Sequence, residues 1–438
     1  MGDININEKI GHYRYRILAL VFMATTINYF DRSILGVLAP ALQNLFGWTN
    51  KDYAAITVSF KIAYGIGLLF MGGFIDRYGT KLGYTISIVT WSIFGMLHAV
   101  IRQSFSLVGF MTARFGLGIG ESGNFPAAIK TVAEWFPKKD RAFATGIFDA
   151  STSVGAILAP FVVGAIVTVE GKNWQIPFLV TGALSALWVF LWLKTYRKPE
   201  LHPGLSKKEL EYINSDSEEE TKERIPWLKI LPKRETWAFA LTTITDAVWW
   251  FYLFWGAKFL GEQFGVDIKN IGLPFLVIFI MADAGSLIGG YTSGALIKKG
   301  WPINKARKIT LLVCAVIILP LTIVPMVTSK WLAVALIALG AAGHQAWSIN
   351  SYTLVPDVFP KKAIASVIGI GKMIGVAASI IADIALGSVL DTADNSGYFW
   401  AFIIAGSLYL IILVFVHLLM PKMTPMDDNL DYIGKPER

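Results

Sequence analysis

WFPKKDRAFATGIFDASTSVG (135–155) and VFPKKAIASVIGIGKMIGVAA (358–378) align without a gap from Phe136 on Phe359. Such self-similarity predicts a chain made of two related copies of one helical unit. The same register places Gly146 on Gly369, Glu121 on His344 and Asp149 on Lys372. In membrane proteins built from two repeats about an axis along the membrane normal, equivalent positions can face each other across a central cavity. Asp149 and Lys372 are one acid and one base, so they are predicted to form an ion pair closing the cytoplasmic half of the cavity. The competing reading is that each snorkels or pairs elsewhere.

Outward from these segments the chain is mostly apolar. Of 438 residues, 54% are hydrophobic and 16% charged, against about 25% charged in an ordinary soluble domain, and the mean hydropathy is +0.54. A soluble enzyme is excluded. Apolar runs between charged punctuation predict spans at 15–38, 53–75, 82–101, 105–129, 142–168, 174–196, 236–261, 271–297, 308–328, 331–355, 363–390 and 397–420. The expected fold is therefore all-α and integral to a membrane, with twelve transmembrane helices as two six-helix repeats around a central cavity. The first run follows Lys9, Arg14 and Arg16 and has no small-residue cleavage pattern after it, so it reads as a retained helix. Cys314 is the one cysteine and lies inside an apolar run, where a buried small residue is expected.

The only long polar segment divides the spans six and six. We expect a first half at 1–196, a cytoplasmic linker at 197–234 and a second half at 235–438. Within the linker, SKKELEYI reads either as a short amphipathic helix at the headgroups or as part of a solvated tether. The net charge of +8 is not a nucleic-acid signal, because its distribution follows the membrane. Counting span ends with the loops they border, 29 of the 39 Lys and Arg residues fall on the side of the termini and the linker, and six on the opposite side. Both termini are predicted to be cytoplasmic.

The remaining four bases, Arg32, Lys61, Arg114 and Lys372, fall inside spans. A charge at the bilayer centre costs roughly 2.5 to 3.5 kcal/mol on insertion scales, so each needs a partner, a wet cavity or a task. Asp31 and Arg32 are adjacent, and adjacent helical residues point about 100° apart, so they cannot simply neutralise each other. Arg114 and Glu121 stand seven residues apart on one face of the fourth span, with Gly116, Gly118 and Gly120 between them admitting a neighbouring helix or a ligand. Arginine offers a planar fork that matches a carboxylate and never deprotonates, which makes Arg32 and Arg114 candidate anion clamps. Asp31 and Glu121 can bind a proton and so couple protonation to whether a neighbouring arginine is free for substrate. Lys61, with Tyr64 nearby, either contacts substrate or complements Asp31. Asp246 and Asp283 read as packing or gating acids, and His344 and Gln345 as neutral hydrogen-bonding groups at the depth of Glu121. The aromatics at 249–255 occupy all sides of a helix, so most must be packing.

GGFIDRYGTKLG (72–83), between the second and third spans, resembles the loop signature of the major facilitator superfamily, with a diluted echo in GGYTSGALIKKGWPINKARK (289–308). Within that superfamily NYFDR (28–32), RFGLGIGESGNFPA (114–127), EWFPKKDRAFATGIF (134–148), TDAVWWFYLFW (245–255) and HQAWS (344–348) resemble the anion:cation symporter family, above all bacterial hexuronate transporters. The resemblance implies import of sugar acids such as glucuronate and galacturonate with protons. It implies Asp76 and Arg77 as cytoplasmic gate residues, Asp31 and Glu121 as proton-coupling groups, and Arg32 and Arg114 in carboxylate binding or coupling. Tyr64 is implied as a substrate contact. Three positions depart from the family pattern: Asp149 for Asn, Lys372 for a small residue and Lys61 for a neutral one.

The expected function is thus proton-coupled import of a sugar-acid anion by alternating access, across a bacterial inner membrane and by a monomer. The alternatives are an organic-anion exchanger and an importer of another carboxylate, an aldarate or aldonate. A sensor derived from a transporter and an integral-membrane enzyme are weaker readings. No cofactor, metal or nucleic acid is expected; the co-transported ion is read as H+, with Na+ left open.

Overall fold

The computed structural model describes residues 11–215, 225–392 and 396–433. In chain order its α-helices are α1 (Tyr13–Phe46), α2 (Asn50–Tyr78), α3 (Thr80–Leu97), α4 (Ser106–Glu121), α5 (Asn124–Trp135), α6 (Lys138–Ile166), α7 (Gln175–Thr195) and α8 (Lys207–Ile213). There follow α9 (Trp227–Ile230), α10 (Arg234–Thr243), α11 (Asp246–Phe264), α12 (Gly272–Lys298), α13 (Ile303–Ile318), α14 (Lys330–Val358), α15 (Lys361–Leu390) and α16 (Ser396–Leu419). Every predicted span is helical, as it must be where no water can satisfy backbone groups. Nine of the described helices are long and apolar enough to cross a membrane on length and composition. The first, fourth and seventh spans are the remaining three. The first carries Asp31 and Arg32, and the other two are broken, the fourth into α4 and α5 at Ser122 and Gly123, the seventh into α10 and α11 at Ile244 and Thr245.

The repeat is visible in the helix boundaries. α5 is closed by Phe136 and α14 by Phe359, each extended ahead of a proline, and α6 and α15 begin at Lys138 and Lys361, the equivalent residues. The physical cause is the same in both copies: proline disfavours helical geometry in the residue before it and suits the start of the next helix.

Two compact units are formed. One comprises Met1–Ile34, Ala63–Ala159 and Trp174–Glu220. Here the fourth-span glycines meet a helix and not a ligand: Gly116 packs on the ring of Phe94, and Gly120 on the backbone of Trp91, where an added Cβ would lie 2.5 Å from the amide nitrogen. Trp188, Trp192 and Tyr196 form a stacked column against Tyr84. The SKKELEYI segment forms the short helix α8, which is docked on the start of α1. Glu209 of α8 is buried and accepts from the backbone N–H of Arg14 at 3.1 Å and from its guanidinium at 3.2 Å, which caps the start of α1 from another part of the chain. Tyr212 donates to Asp140 at 2.9 Å and completes the docking.

The other unit comprises Leu35–Ile62, Pro160–Asn173 and Thr221–Arg438. It therefore includes the ends of α1, α2 and α6 remote from the linker. The Asn50 and Lys51 amides at the start of α2 donate to the two carboxylate oxygens of Asp391 at 2.8 and 3.0 Å. Lys269 reaches the carbonyl of Gly164 at 2.8 Å, and Gly36 packs on the backbone of Leu253. α12 and α14 approach through Gly285 and Gly289, which lie against the backbone of Ala342 and Ala346. Cys314 is buried as expected.

Candidate functional site

The Asp31–Arg32 pair divides as adjacent helical residues must. Arg32 faces α4, its Nη2 2.8 Å and its Nε 2.9 Å from Glu121 Oε2, with both side chains at most 2% exposed. Asp31 faces α7, where the Thr181 hydroxyl donates to its Oδ1. The guanidinium of Arg32 also lies over two rings, Tyr29 at 4.6 Å and Tyr64 at 4.8 Å. Arg114 is fully buried seven residues before Glu121, and its charge acts on both Asp31 and Glu121. One compact unit therefore gathers Asp31, Arg32, Tyr64, Arg114 and Glu121. Two buried carboxylate oxygens, Asp31 Oδ2 and Glu121 Oε1, accept no hydrogen bond among the described residues. A carboxylate oxygen in that position is costly while ionised and is relieved by a proton.

Lys61 belongs to the other unit, and its partner is a residue that the sequence reading passed over. Lys61 Nζ lies 2.7 Å from Asp383 Oδ2, with the two side chains 1% and 4% exposed. It also donates to the Ser379 carbonyl at 3.2 Å and sits 5.4 and 5.5 Å from the rings of Trp250 and Phe254. Asp383 accepts further bonds from Thr57 Oγ1 at 2.7 Å and Trp255 Nε1 at 3.1 Å. Both charges are thus satisfied without water. Matching every in-span base with an in-span acid was the signal for Asp383. Thr181 carried no comparable signal, because threonine is ordinary in a span.

Lys372 has a different setting. Its Nζ is 3.1 Å from Asp246 Oδ2 and 5.1 Å from the Tyr352 ring centroid, and its side chain is 44% exposed. Asp149 is exposed on α6, in the other unit. His344 binds the Tyr409 hydroxyl through Nδ1 at 2.7 Å and stacks on Trp249 at 5.7 Å and 12°, a packed setting. Gln345 is half-buried beside it. At the start of the linker side, Asp76 receives Lys130 Nζ at 2.7 Å, while Arg77 is exposed. The aromatic run is largely packing, as expected: Trp255 meets Tyr53 edge-on, and Phe251 meets Phe402. Among the described residues no group of three or more His, Cys, Asp or Glu is placed to hold a metal ion.

Twelve apolar spans in two copies, with ion pairs buried among them, are the architecture of an integral-membrane transporter. The chain belongs to the Major Facilitator Superfamily, which it matches over residues 21–383. It is 30% identical over 400 residues to the hexuronate transporter of Escherichia coli K12, covering 90% of this chain and 91% of that one. It is 31% identical over 341 residues to the galacturonate transporter of Dickeya chrysanthemi, covering 76% of this chain and 97% of that one. Its fold is similar to that of a bacterial homologue of the human lysosomal transporter Spinster, solved inward-facing and unoccupied. There the TM-score is 0.76 at 18% identity, covering 95% of this chain and 98% of that chain.

Proposed function

We propose that this protein imports a sugar-acid anion, a hexuronate such as glucuronate or galacturonate, by proton symport across a bacterial inner membrane with both termini cytoplasmic. The carrying observation is the Arg32–Glu121 bond beside Asp31, with an unbonded carboxylate oxygen on each acid. An arginine held by a carboxylate is not available to a second one. Protonation of Glu121 weakens that bond and frees the planar guanidinium's N–H donors for the oxygens of the anionic substrate, so that proton and anion bind together. Asp31 supplies the second proton site, with Thr181 orienting it. Arg114 contributes positive charge to the same unit, and Tyr64 offers a ring face to the sugar. Of the second unit's residues read as substrate contacts, Gln345 offers a half-buried amide, while Lys61, held by Asp383, and His344, packed between Trp249 and Tyr409, have settings that favour structural roles.

The coupling has an electrostatic reason. An anion entering alone moves against a negative-inside potential at about 2.3 kcal/mol per 100 mV, so one proton gives neutrality and a second adds drive. Alternating access then needs closure on each side in turn. On the side remote from the linker, Lys61–Asp383 and Asp391 with the α2 amides support a closed end. On the linker side, Asp76 and Arg77 act as gate residues.

Uptake of labelled glucuronate, galacturonate and galactarate into proteoliposomes under an imposed inward proton gradient tests the reading. Accumulation abolished by a protonophore supports symport and ranks the substrates. Uptake that needs only counter-substrate on the inside assigns exchange instead, and no uptake of any of them overturns the sugar-acid assignment.

A further inference from the structure

Two lysines of the second compact unit, Lys61 and Lys372, have opposite surroundings. Lys61 is sealed, with its donors spent on Asp383 and the Ser379 carbonyl between two aromatic rings. Lys372 keeps 44% of its side chain exposed, although a lysine facing acyl chains is strongly disfavoured. The helix it belongs to identifies which side it opens on. Asp383 follows Lys372 by eleven residues, three turns at about 100° per residue, so both project from one face of α15. That face meets α2 at Thr57 and Lys61. The apolar side of α15, lined by Ala378, Ile381, Ala382, Ala385, Leu386 and Val389 near Val248 and Phe251, is centred roughly 110° away from Lys372. Lys372 therefore opens on the polar, interior face and not toward lipid.

Its partner is built into a break in the chain. The seventh span is interrupted at Ile244 and Thr245, and Asp246 is the first residue of α11. α15 comes close to this junction because Gly375 has no side chain: a Cβ there would lie 2.8 Å from the Thr243 carbonyl and 3.2 Å from Asp246 Oδ2. The approach sets the Asp246 carboxylate against the ammonium while leaving the lysine's outer side open. An ammonium has three N–H donors, and with one directed to Asp246 and Tyr352 beside it, at least one is left for an incoming acceptor.

We propose that Lys372 and Asp246 form a substrate subsite for a hydroxylated carboxylate, in which the ammonium takes the ligand's carboxylate and Asp246 accepts from a neighbouring hydroxyl. This assignment rests on the sugar-acid reading given above and names the residues of the second half that recognise such a ligand. Asp246 holds the ammonium extended and lowers the cost of an unpaired charge when the site is empty; the carboxylate then ligates from the open side. Specificity follows from the pairing, because a carboxylate without an adjacent hydroxyl leaves Asp246 without its second contact.

The test uses the full-length protein in proteoliposomes with labelled galacturonate, with monodispersity and thermal unfolding as controls for folding. For Lys372→Gln the expected KM rises at least 10-fold with the maximal rate within about 3-fold, and Lys372→Arg keeps KM within about 3-fold. Asp246→Asn is expected to lose the preference for galacturonate over its 4-deoxy analogue, which lacks the hydroxyl beside the carboxylate-bearing carbon. A measurement on the unaltered protein stands beside these: amine acylation read by mass spectrometry should modify Lys372 and not Lys61, and galacturonate should protect Lys372. Wild-type protein that imports no sugar acid overturns the functional reading and the subsite with it. Wild-type import with KM unchanged in Lys372→Gln, or with Lys372 unprotected, overturns the subsite alone, and a loss confined to the maximal rate assigns Lys372 to gating.

Discussion

Lys61 Nζ and Asp383 Oδ2 stand 2.7 Å apart, both buried, and tie α2 to α15. Removing one member of a buried pair strands the other, at a cost of about 3 to 5 kcal/mol, while replacing both with apolar residues of similar size is often neutral. Lys61→Met is therefore expected to lower the thermal unfolding midpoint sharply. Lys61→Met with Asp383→Leu should recover most of the loss; a double variant no more stable than either single one would count against the pair.

Glu121→Gln keeps a hydrogen-bonding group against Arg32 but cannot change charge. Uptake driven by a proton gradient should fall at least 100-fold, while counterflow exchange of substrate on both sides is retained. Equal loss of both activities would place Glu121 in binding and not in coupling.

Charge reversal separates the two readings of Lys372. If Asp149 and Lys372 close a gate, Asp149→Lys with Lys372→Asp restores transport beyond either single change. If Lys372 works with Asp246, the double reversal recovers nothing.

Glycine positions should differ in tolerance. Gly120→Val puts side-chain atoms into the backbone of Trp91 and should abolish folded yield. Gly146, with nothing within 4 Å of an added Cβ, should accept alanine with a gain of up to about 1 kcal/mol, because glycine is costly inside a helix. Thermal unfolding of the two purified variants checks both outcomes.

Glu209→Ala removes the acceptor for the Arg14 amide and guanidinium. The α8 segment should then be cut by protease faster than in the parent, by about 5-fold or more in rate for a loss of about 1 kcal/mol. An unchanged cleavage rate would mean that Tyr212 and Asp140 hold the segment without it.

The sequence by itself determined the helical spans, the six-and-six division of those spans, the repeat and the list of charges that need company. Hydropathy and the Phe-Pro register are local or translational signals, and a bilayer leaves the backbone only one way to satisfy its hydrogen bonds in a spanning segment of this kind. It also required that Asp31 and Arg32 part, since the helical angle between neighbours is fixed. The tertiary structure alone decided with whom they part: Arg32 with Glu121, 89 residues on, and Asp31 with Thr181, 150 residues on. It decided as well that Lys61 meets Asp383 and that Lys372 meets Asp246. Those pairings depend on how helices distant in sequence pack and rotate against one another, and on glycines such as Gly375 that set the distance of approach. No periodicity in one segment records the face that another segment presents to it.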